Sequence, residues 1–339
     1  MIRMLLSLVF VVVARTQGLA SDPASNTSIF SPVSTPGYEI QKLGIVVLSI
    51  AAGIWITLML LLGYVSIRYR AREQDLETEP PQVYGSTEIE MAWTIIPILI
   101  IIVLFLTTAG VLFALQAAPK PANAMDVVVV GHQYWWEFRY PALGVATANE
   151  LHIPVAGDGN TGPTYLKLIS ADVMHSFWVP RLAGKVDVIP NRVNELWVDP
   201  KTPGLYLGQC SQFCGTEHAE MLLRVYVDSP QDFAAWVKHQ QQTAIDNANV
   251  SAGREVFETH ACMNCHTIRG TAATGRFGPD LTHLMSRQTL ASGVIKNSPE
   301  NLERWIADPD SIKPSSLMPS MRLDPQELQQ VTDYLATLQ

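Results

Sequence analysis

All four cysteines of this chain fall in two short clusters, Cys210-Ser-Gln-Phe-Cys214 and Cys262-Met-Asn-Cys265-His266, which leaves none for a structural disulfide framework. The fold must therefore present two soft-ligand centres in separate parts of one chain, held by apolar cores rather than cross-links. The second cluster is a C-x-x-C-H motif, in which two thiols add across the vinyl groups of a haem and the adjacent histidine ligates its iron. A zinc knuckle is the competing reading of that motif, and an exported domain with a downstream methionine weighs against it.

The chain has 339 residues, 48% hydrophobic and only 16% charged, which points to membrane segments beside two soluble domains. Its first apolar stretch, Leu5 to Val13, follows Arg3 and ends near Gly18-Leu-Ala20. That is the shape of a cleaved secretory signal, residues 1–20; Arg15 interrupts it before it reaches the length of an uncleaved anchor. Residues 44–67 make a helix of about 36 Å against roughly 30 Å of hydrocarbon, and so span with a little tilt. Residues 95–115 form the second span, with Pro97 either in its first turn or kinking a longer helix that begins near Glu88. Arg68, Arg70 and Arg72 follow the first span at once, whereas Lys42 and Lys120 flank the outer ends. This bias puts loop 68–94 in the cytoplasm and residues 21–43, with everything after Lys120, on the periplasmic or external side of a bacterial plasma membrane.

Within the exported part, Val127–Val130, Leu151–Val155, Tyr165–Ile169, Glu195–Val198 and Leu222–Val227 are β-branched and aromatic runs separated by turn residues, so residues 121–228 read as an all-β sandwich or barrel. Residues 229–249 read as a linker, helical after Ser229-Pro230 and then a loose polar tail through Gln240-Gln-Gln242. Residues 250–339 read as short helices, the last carrying Leu328, Val331, Tyr334 and Leu335 as one apolar stripe. Residues 121–249 hold eight Lys/Arg against thirteen Asp/Glu, and residues 250–339 hold eight against ten. The acidic surface argues against nucleic acid and suits a basic protein partner.

Two thiolates four positions apart can bridge a pair of soft copper ions, each of which then needs one imidazole and one weak axial ligand. His218 lies four residues past Cys214, Met221 three past His218, and His175 comes from the separate segment Met174-His-Ser-Phe-Trp-Val-Pro180. One copper would take His175 and the Met221 thioether, the other His218 and the backbone carbonyl of Gln212. Zinc, a Cys210–Cys214 disulfide and a single copper compete for the same thiols; the complete Cys-x-Gln-x-Cys-x-x-x-His-x-x-Met pattern with a remote histidine favours the pair. On the haem motif, Met318 in Ser316-Leu-Met-Pro319 is the first choice for sixth iron ligand and Met321 the second, with Met263 and Met285 assigned to packing. His132, His152, His239, His260 and His283 read as ordinary hydrogen-bonding residues.

These patterns together resemble cytochrome c oxidase subunit II in the form with a fused cytochrome c domain. The likeness extends to Glu88-Ile-Glu90-Met-Ala-Trp93-Thr-Ile-Ile-Pro97, Gly131-His-Gln-Tyr-Trp-Trp-Glu-Phe138 and Lys185-Val-Asp187-Val-Ile-Pro190-Asn-Arg192. The resemblance implies a two-helix transmembrane hairpin, a cupredoxin-like Greek-key domain with a binuclear copper A centre, and an all-α class I cytochrome c domain with one covalent haem c. In that domain Gly278-Pro279-Asp-Leu281 would rest against the proximal histidine, and Gly253, Phe257 and Tyr334 would join the first and last helices. It also implies that Glu90 lies near a proton route, and that the family's electron-input tryptophan corresponds to Tyr134, with Trp135 and Trp136 as substitutes. Many relatives have Glu where Gln212 stands, and that carboxylate binds magnesium, so magnesium is in doubt here.

Oxygen-reducing haem-copper sites are built from histidines on spanning helices, and neither span contains one. The expected role is therefore electron input: from a donor such as a cytochrome c or the cytochrome bc complex to haem c, then copper, then subunit I, coupled there to proton pumping. The fused haem makes the first transfer intramolecular, at an effective concentration set by the linker. An input subunit of a nitric oxide reductase and a membrane copper carrier are the alternatives. A carrier has no use for the haem motif.

Overall fold

The computed structural model describes residues 27–70, 82, 84–117, 119–157, 161–245 and 247–339. The expected signal, residues 1–20, and residues 71–81 and 83 of loop 68–94, with Arg72, lie outside them. The described chain divides into two compact units, one of residues 38–119 and one containing residues 120–339 with the N-terminal segment up to Gly37.

The first unit holds two helices long and apolar enough to cross a membrane, α1 (Thr35–Arg68) and α2 (Thr87–Gln116). Both run past the apolar stretches that mark them, because helix hydrogen bonding continues through flanking residues at no cost once the core turns exist. At 34 and 30 residues they reach about 51 and 45 Å. Pro97 lies inside α2, so the longer helix is the form adopted. Leu60, Leu62, Ile101, Phe105 and Leu106 point outward, as a lipid-facing surface requires. Thr57, Thr94 and Thr107 hide their hydroxyls by donating to the carbonyls of Gly53, Glu90 and Val103 at 2.8, 2.8 and 2.9 Å.

The second unit opens with the β domain. Its strands are β1 (Met125–His132), β2 (Trp135–Tyr140), β3 (Val145–Ala148), β4 (Glu150–Pro154), β5 (Thr164–Ser170), β6 (His175–Trp178), β7 (Val186–Val188), β8 (Asn194–Val198), β9 (Gly204–Cys210) and β10 (Leu222–Asp228). They form two five-stranded sheets, ordered β3-β2-β1-β5-β8 and β4-β10-β9-β6-β7. The β1–β5 and β4–β10 pairs are parallel and the rest antiparallel, the crossed connectivity of a cupredoxin-like sandwich. Alternate residues of β5 and β10 point inward, and Val127, Val129, Trp136, Phe138, Leu151, Ile153, Leu166, Leu168 and Val225 fill the space between the sheets.

After β10 comes α3 (Pro230–Gln240), started by Ser229, whose hydroxyl accepts from the Asp232 amide at 3.1 Å. Trp236 stacks on His152 with centroids 4.5 Å apart and meets Tyr140 edge-on at 5.3 Å. The polar tail beyond α3 is not loose. Gln240 is buried and donates to Ser286 Oγ at 3.2 Å, Gln241 donates to the Leu143 carbonyl at 2.8 Å, and the Gln242 carbonyl bonds His283 Nε2 at 3.0 Å. Gln240 is buried in these bonds while Gln241 and Gln242 stay exposed, and all three tie a stretch that composition alone reads as solvated to the domains on either side of it.

The C-terminal domain comprises α4 (Ser251–Thr259), α5 (Cys262–Cys265), the short pair β11 (Thr289–Leu290) and β12 (Ile295–Lys296), α6 (Pro299–Ala307), α7 (Pro309–Ile312) and α8 (Pro325–Ala336). The first and last of these helices cross where Gly253 has no side chain; a Cβ there would lie 1.9 Å from the Gln330 carbonyl oxygen. Phe257 and Tyr334 close the crossing edge-on at 6.0 Å. Asp324 and Glu327 complete a capping box at the start of α8.

Candidate metal centres

The β sandwich gathers every copper-type donor expected from the sequence. His175 opens β6 at the sheet end, Cys210 closes β9, and a loop with one helical turn at residues 218–220 carries Cys214, His218 and Met221 back into β10. Cys210 Sγ stands 3.9 Å from Cys214 Sγ, 3.9 Å from His175 Nδ1 and 3.2 Å from the Gln212 carbonyl oxygen. Cys214 Sγ lies 3.8 Å from His218 Nδ1 and 3.9 Å from Met221 Sδ. His175, Cys210, Cys214 and Met221 are buried, and one ligand atom from each of the first three falls within a 4.8 Å circle. Two facing sulfurs, an imidazole toward each, one thioether and one carbonyl form the donor set that a thiolate-bridged copper pair needs.

The proton arrangement suits metal uptake. Hydrogen bonding from Cys214 holds the Cys210 thiol well below its ordinary value, and the same contact with burial pushes Cys214 up, so the pair shares one proton. Burial acts to lower His175, but its bonds to Asp172 and Cys210 outweigh that and raise it. Asp172 Oδ1 holds His175 Nε2 at 2.7 Å, leaving Nδ1 toward the sulfurs. Gly131 lies under this ring; a Cβ there would be 2.9 Å from His175 Cδ2. Gln133 Nε2 donates to the Cys214 carbonyl at 2.6 Å. Asp172, Gly131 and Gln133 were not anticipated from sequence, although an acid three residues before a candidate ligand is a signal for such an orienting bond.

In the helical domain, Cys262, Cys265 and His266 line a cleft that Met318 and Met321 also line. His266 Nδ1 bonds the Pro279 carbonyl at 2.8 Å, which leaves Nε2 facing the cleft, and burial lowers its proton affinity, favouring the neutral ring that binds metal. A Cβ on Gly278 would sit 2.5 Å from His266 Cε1, so glycine is needed for the ring to lie flat against this loop. Leu281, Leu284, Leu302, Ile306 and Leu335 add apolar walls. A planar macrocycle held by two thioethers and capped by His266 fits this cleft. Met263 and Met285 pack against the helical core instead.

The aromatic run divides in three. Trp136 is fully buried, edge-on to His175 at 6.0 Å and to Phe177 at 5.5 Å. Trp135 stacks on His132 at 4.2 Å, and both Trp135 and Tyr134 form part of the wall of the haem-type cleft. The Tyr134 ring also covers Gly215 in the copper loop, where a Cβ would meet its hydroxyl at 2.3 Å. The remaining histidines have ordinary partners: His132 with Glu137 at 3.1 Å, His152 with Asp228 at 2.7 Å, His260 with Glu327 at 3.0 Å, His283 with the Gln339 carbonyl at 2.6 Å, and His239 against the His283 ring. Glu90 sits in the first turn of α2.

The helical domain is seated on the sandwich rather than tethered near it. Buried Glu150 accepts from the Gln288 amide at 3.0 Å and from the Thr289 amide and hydroxyl at 2.9 and 2.7 Å. Ser292 donates to the Leu222 carbonyl at 3.0 Å and to Asn149 Oδ1 at 3.1 Å. The effective concentration of the haem at the copper loop is thus set by a packed contact, not by linker length.

Comparison with known proteins agrees with this geometry. Residues 23–109 match the transmembrane domain of cytochrome c oxidase subunit II, residues 147–227 its periplasmic domain, and residues 250–339 cytochrome c. Cytochrome c oxidase subunit 2 of Alkalihalophilus pseudofirmus is 32% identical over 308 residues, 89% of this chain and 86% of that protein. Its counterpart in Bacillus subtilis is 31% identical over 297 residues, 81% of each. Among solved structures, the periplasmic domain of subunit II of Bradyrhizobium japonicum cytochrome oxidase is 28% identical over 36% of this chain and 97% of that one, with a TM-score of 0.34. With three family models matched along the chain and 32% identity over 89% of it, the chain belongs to the cytochrome c oxidase subunit 2 family, in the form that carries a cytochrome c domain.

Proposed function

We propose that this chain is the electron-input subunit of a terminal oxidase, with haem c on Cys262 and Cys265, iron ligated by His266 and Met318, and a copper A pair held by His175, Cys210, the Gln212 carbonyl, Cys214, His218 and Met221. The observation that carries this reading is the shared wall: Tyr134 and Trp135 line the haem cleft while the Tyr134 ring covers the copper loop. Electrons from a small donor protein or a membrane cytochrome bc complex reach the haem first, cross this wall to copper, and leave for subunit I, where oxygen is reduced and protons are pumped.

The membrane assignment is likewise ours: two passes through a bacterial plasma membrane, loop 68–94 cytoplasmic, residues 121–228 and 250–339 outside as the copper and haem domains, with Glu90 beside a proton route into subunit I. The copper-carrier alternative is not favoured, because a carrier needs exposed, labile donors and Cys210, Cys214 and Met221 are buried. The test is electron paramagnetic resonance of the oxidised, copper-loaded chain. Hyperfine splitting from two equivalent coppers beside a low-spin haem signal is expected; splitting from one copper, or none, would sink the relay.

A further inference from the structure

Lys313 is only 3% exposed, although lysine is among the residues least often buried. It ends α7 in the helical domain, five residues before Met318, and its side chain crosses into the copper domain. There the ammonium donates to the Tyr134 carbonyl at 2.8 Å and to the Glu220 carbonyl at 3.0 Å. The first partner belongs to the residue that lines the haem cleft and covers Gly215. The second precedes Met221, the buried thioether of the copper loop. One side chain thus ties together the segment leading to Met318, the aromatic wall and the copper loop.

Burial pushes Lys313 down to about 8, and the nearby carboxylates of Glu217 and Glu220 keep it from falling further. Both carboxylates have a buried Oε2 with no hydrogen-bond partner among the described residues. The cation therefore stands where removing it leaves carbonyls and acids uncompensated, which fixes the contact in one register.

We propose that Lys313 is a positioning residue for electron transfer between the two centres: by holding Tyr134 and the copper loop against the Met318 segment, it sets the separation across which each electron passes. This rests on the relay reading above. The transfer itself moves one electron from reduced haem to the oxidised copper pair and involves no proton.

The test uses the full metal-loaded chain and Lys313→Met, which keeps most of the length of the side chain and removes its donors. The haem is flash-reduced by a photo-excited ruthenium complex, and the haem and copper bands are followed separately. The expected result is unchanged haem reduction and intact resonance spectra of both centres, with haem-to-copper transfer slowed by roughly tenfold or more, since small misplacements of reacting groups carry rate costs of that order. Transfer at the unaltered rate with both spectra intact overturns the proposal. Should Lys313→Met lose a metal, Lys313→Gln, which keeps one donor group, is expected to slow transfer by a smaller factor, and an unaltered rate in that variant also overturns it. Amide hydrogen exchange of the copper-free chain reads the clamp independently: exchange at residues 217–221 and 314–318 should quicken in either variant, and unchanged protection at both segments overturns it. An unsubstituted chain that shows no two-copper splitting, or no haem-to-copper transfer, would instead remove the relay reading.

Discussion

Met318 and Met321 both line the haem cleft, so the choice between them is a question about one sulfur atom. The chain path favours Met318, which closes the segment that begins at the Lys313 clamp and is turned by a bond from its own amide to Ser316 Oγ at 3.3 Å. Met318→Ala is expected to abolish the low-spin ferric spectrum while leaving both thioethers attached, and Met321→Ala to preserve it. A normal spectrum for Met318→Ala would move the ligand to Met321. Other single residues matter by what they leave out. Gly131 and Gly278 each sit beneath a histidine ring, where one added carbon would displace the ring. The family resemblance placed the Gly278 loop against the proximal histidine, whereas nothing in the sequence distinguishes Gly131, whose constraint comes from His175, 44 positions along the chain.

Among elements, Ser34 and Thr35, at the N-terminal end of α1, are held to the β sandwich by one carboxylate, beside backbone bonds such as that from the Val33 amide to the Arg181 carbonyl. Asp199, just past β8, accepts from the Thr35 amide at 2.7 Å, from the Thr35 hydroxyl at 2.6 Å and from the Ser34 hydroxyl at 2.9 Å, and pairs with Lys201 at 2.8 Å. It caps the spanning helix from another part of the fold. Burial acts to raise Asp199, but these bonds outweigh it and hold the group below the usual carboxylate range. Its stabilising effect is therefore complete above the unfolded value near 4 and is lost as pH falls through the lower folded value. Asp199→Ala is expected to cost about 1–2 kcal/mol at neutral pH and to flatten the acid limb of the thermal-stability profile in detergent. An acid limb of unchanged shape would assign the pH dependence elsewhere. Strands show where pattern reading stops. The five runs expected from β-branched residues all fall on strands, with Val155 one residue past the end of β4, whereas β2, β3, β6, β7 and β9 are not marked by such runs. β6 and β7 are four and three residues long, too short to show alternation, and β9 carries two glycines and ends on a cysteine.

For the whole molecule, the consequence of fusion is that two cofactor domains meet through a designed contact. Glu150 is a second anchor of it beside Lys313, taking hydrogen bonds from the Gln288 amide and from the Thr289 amide and hydroxyl, with its own carboxylate almost fully covered. Glu150→Ala leaves those donors without an acceptor and should weaken the contact by about 1–3 kcal/mol. The expected readout is faster amide exchange at Gln288 and Thr289 and an earlier, separate unfolding step of the helical domain. A single transition at the original temperature would show that the carboxylate contributes little. Because transfer across this contact is internal, its rate should also be insensitive to salt that screens surface charges over about 8–10 Å.

The sequence by itself determined the chemistry: which six donors could hold copper, which three residues could hold haem, and which two stretches could cross a membrane. Each of these depends on residue type and local spacing, and those survive in one dimension. Only the tertiary structure decided that His175 meets Cys210 from 35 positions away, that Glu150 reaches residues 138 and 139 positions later, and that Lys313 crosses between domains to Tyr134 over 179 positions. The sequence also suggested a loose tether where the structure has a seated contact. The physical reason is the same in each case: a polar side chain buried between distant segments is identified by the partner that satisfies it, and that partner is set by packing rather than by neighbours in the chain.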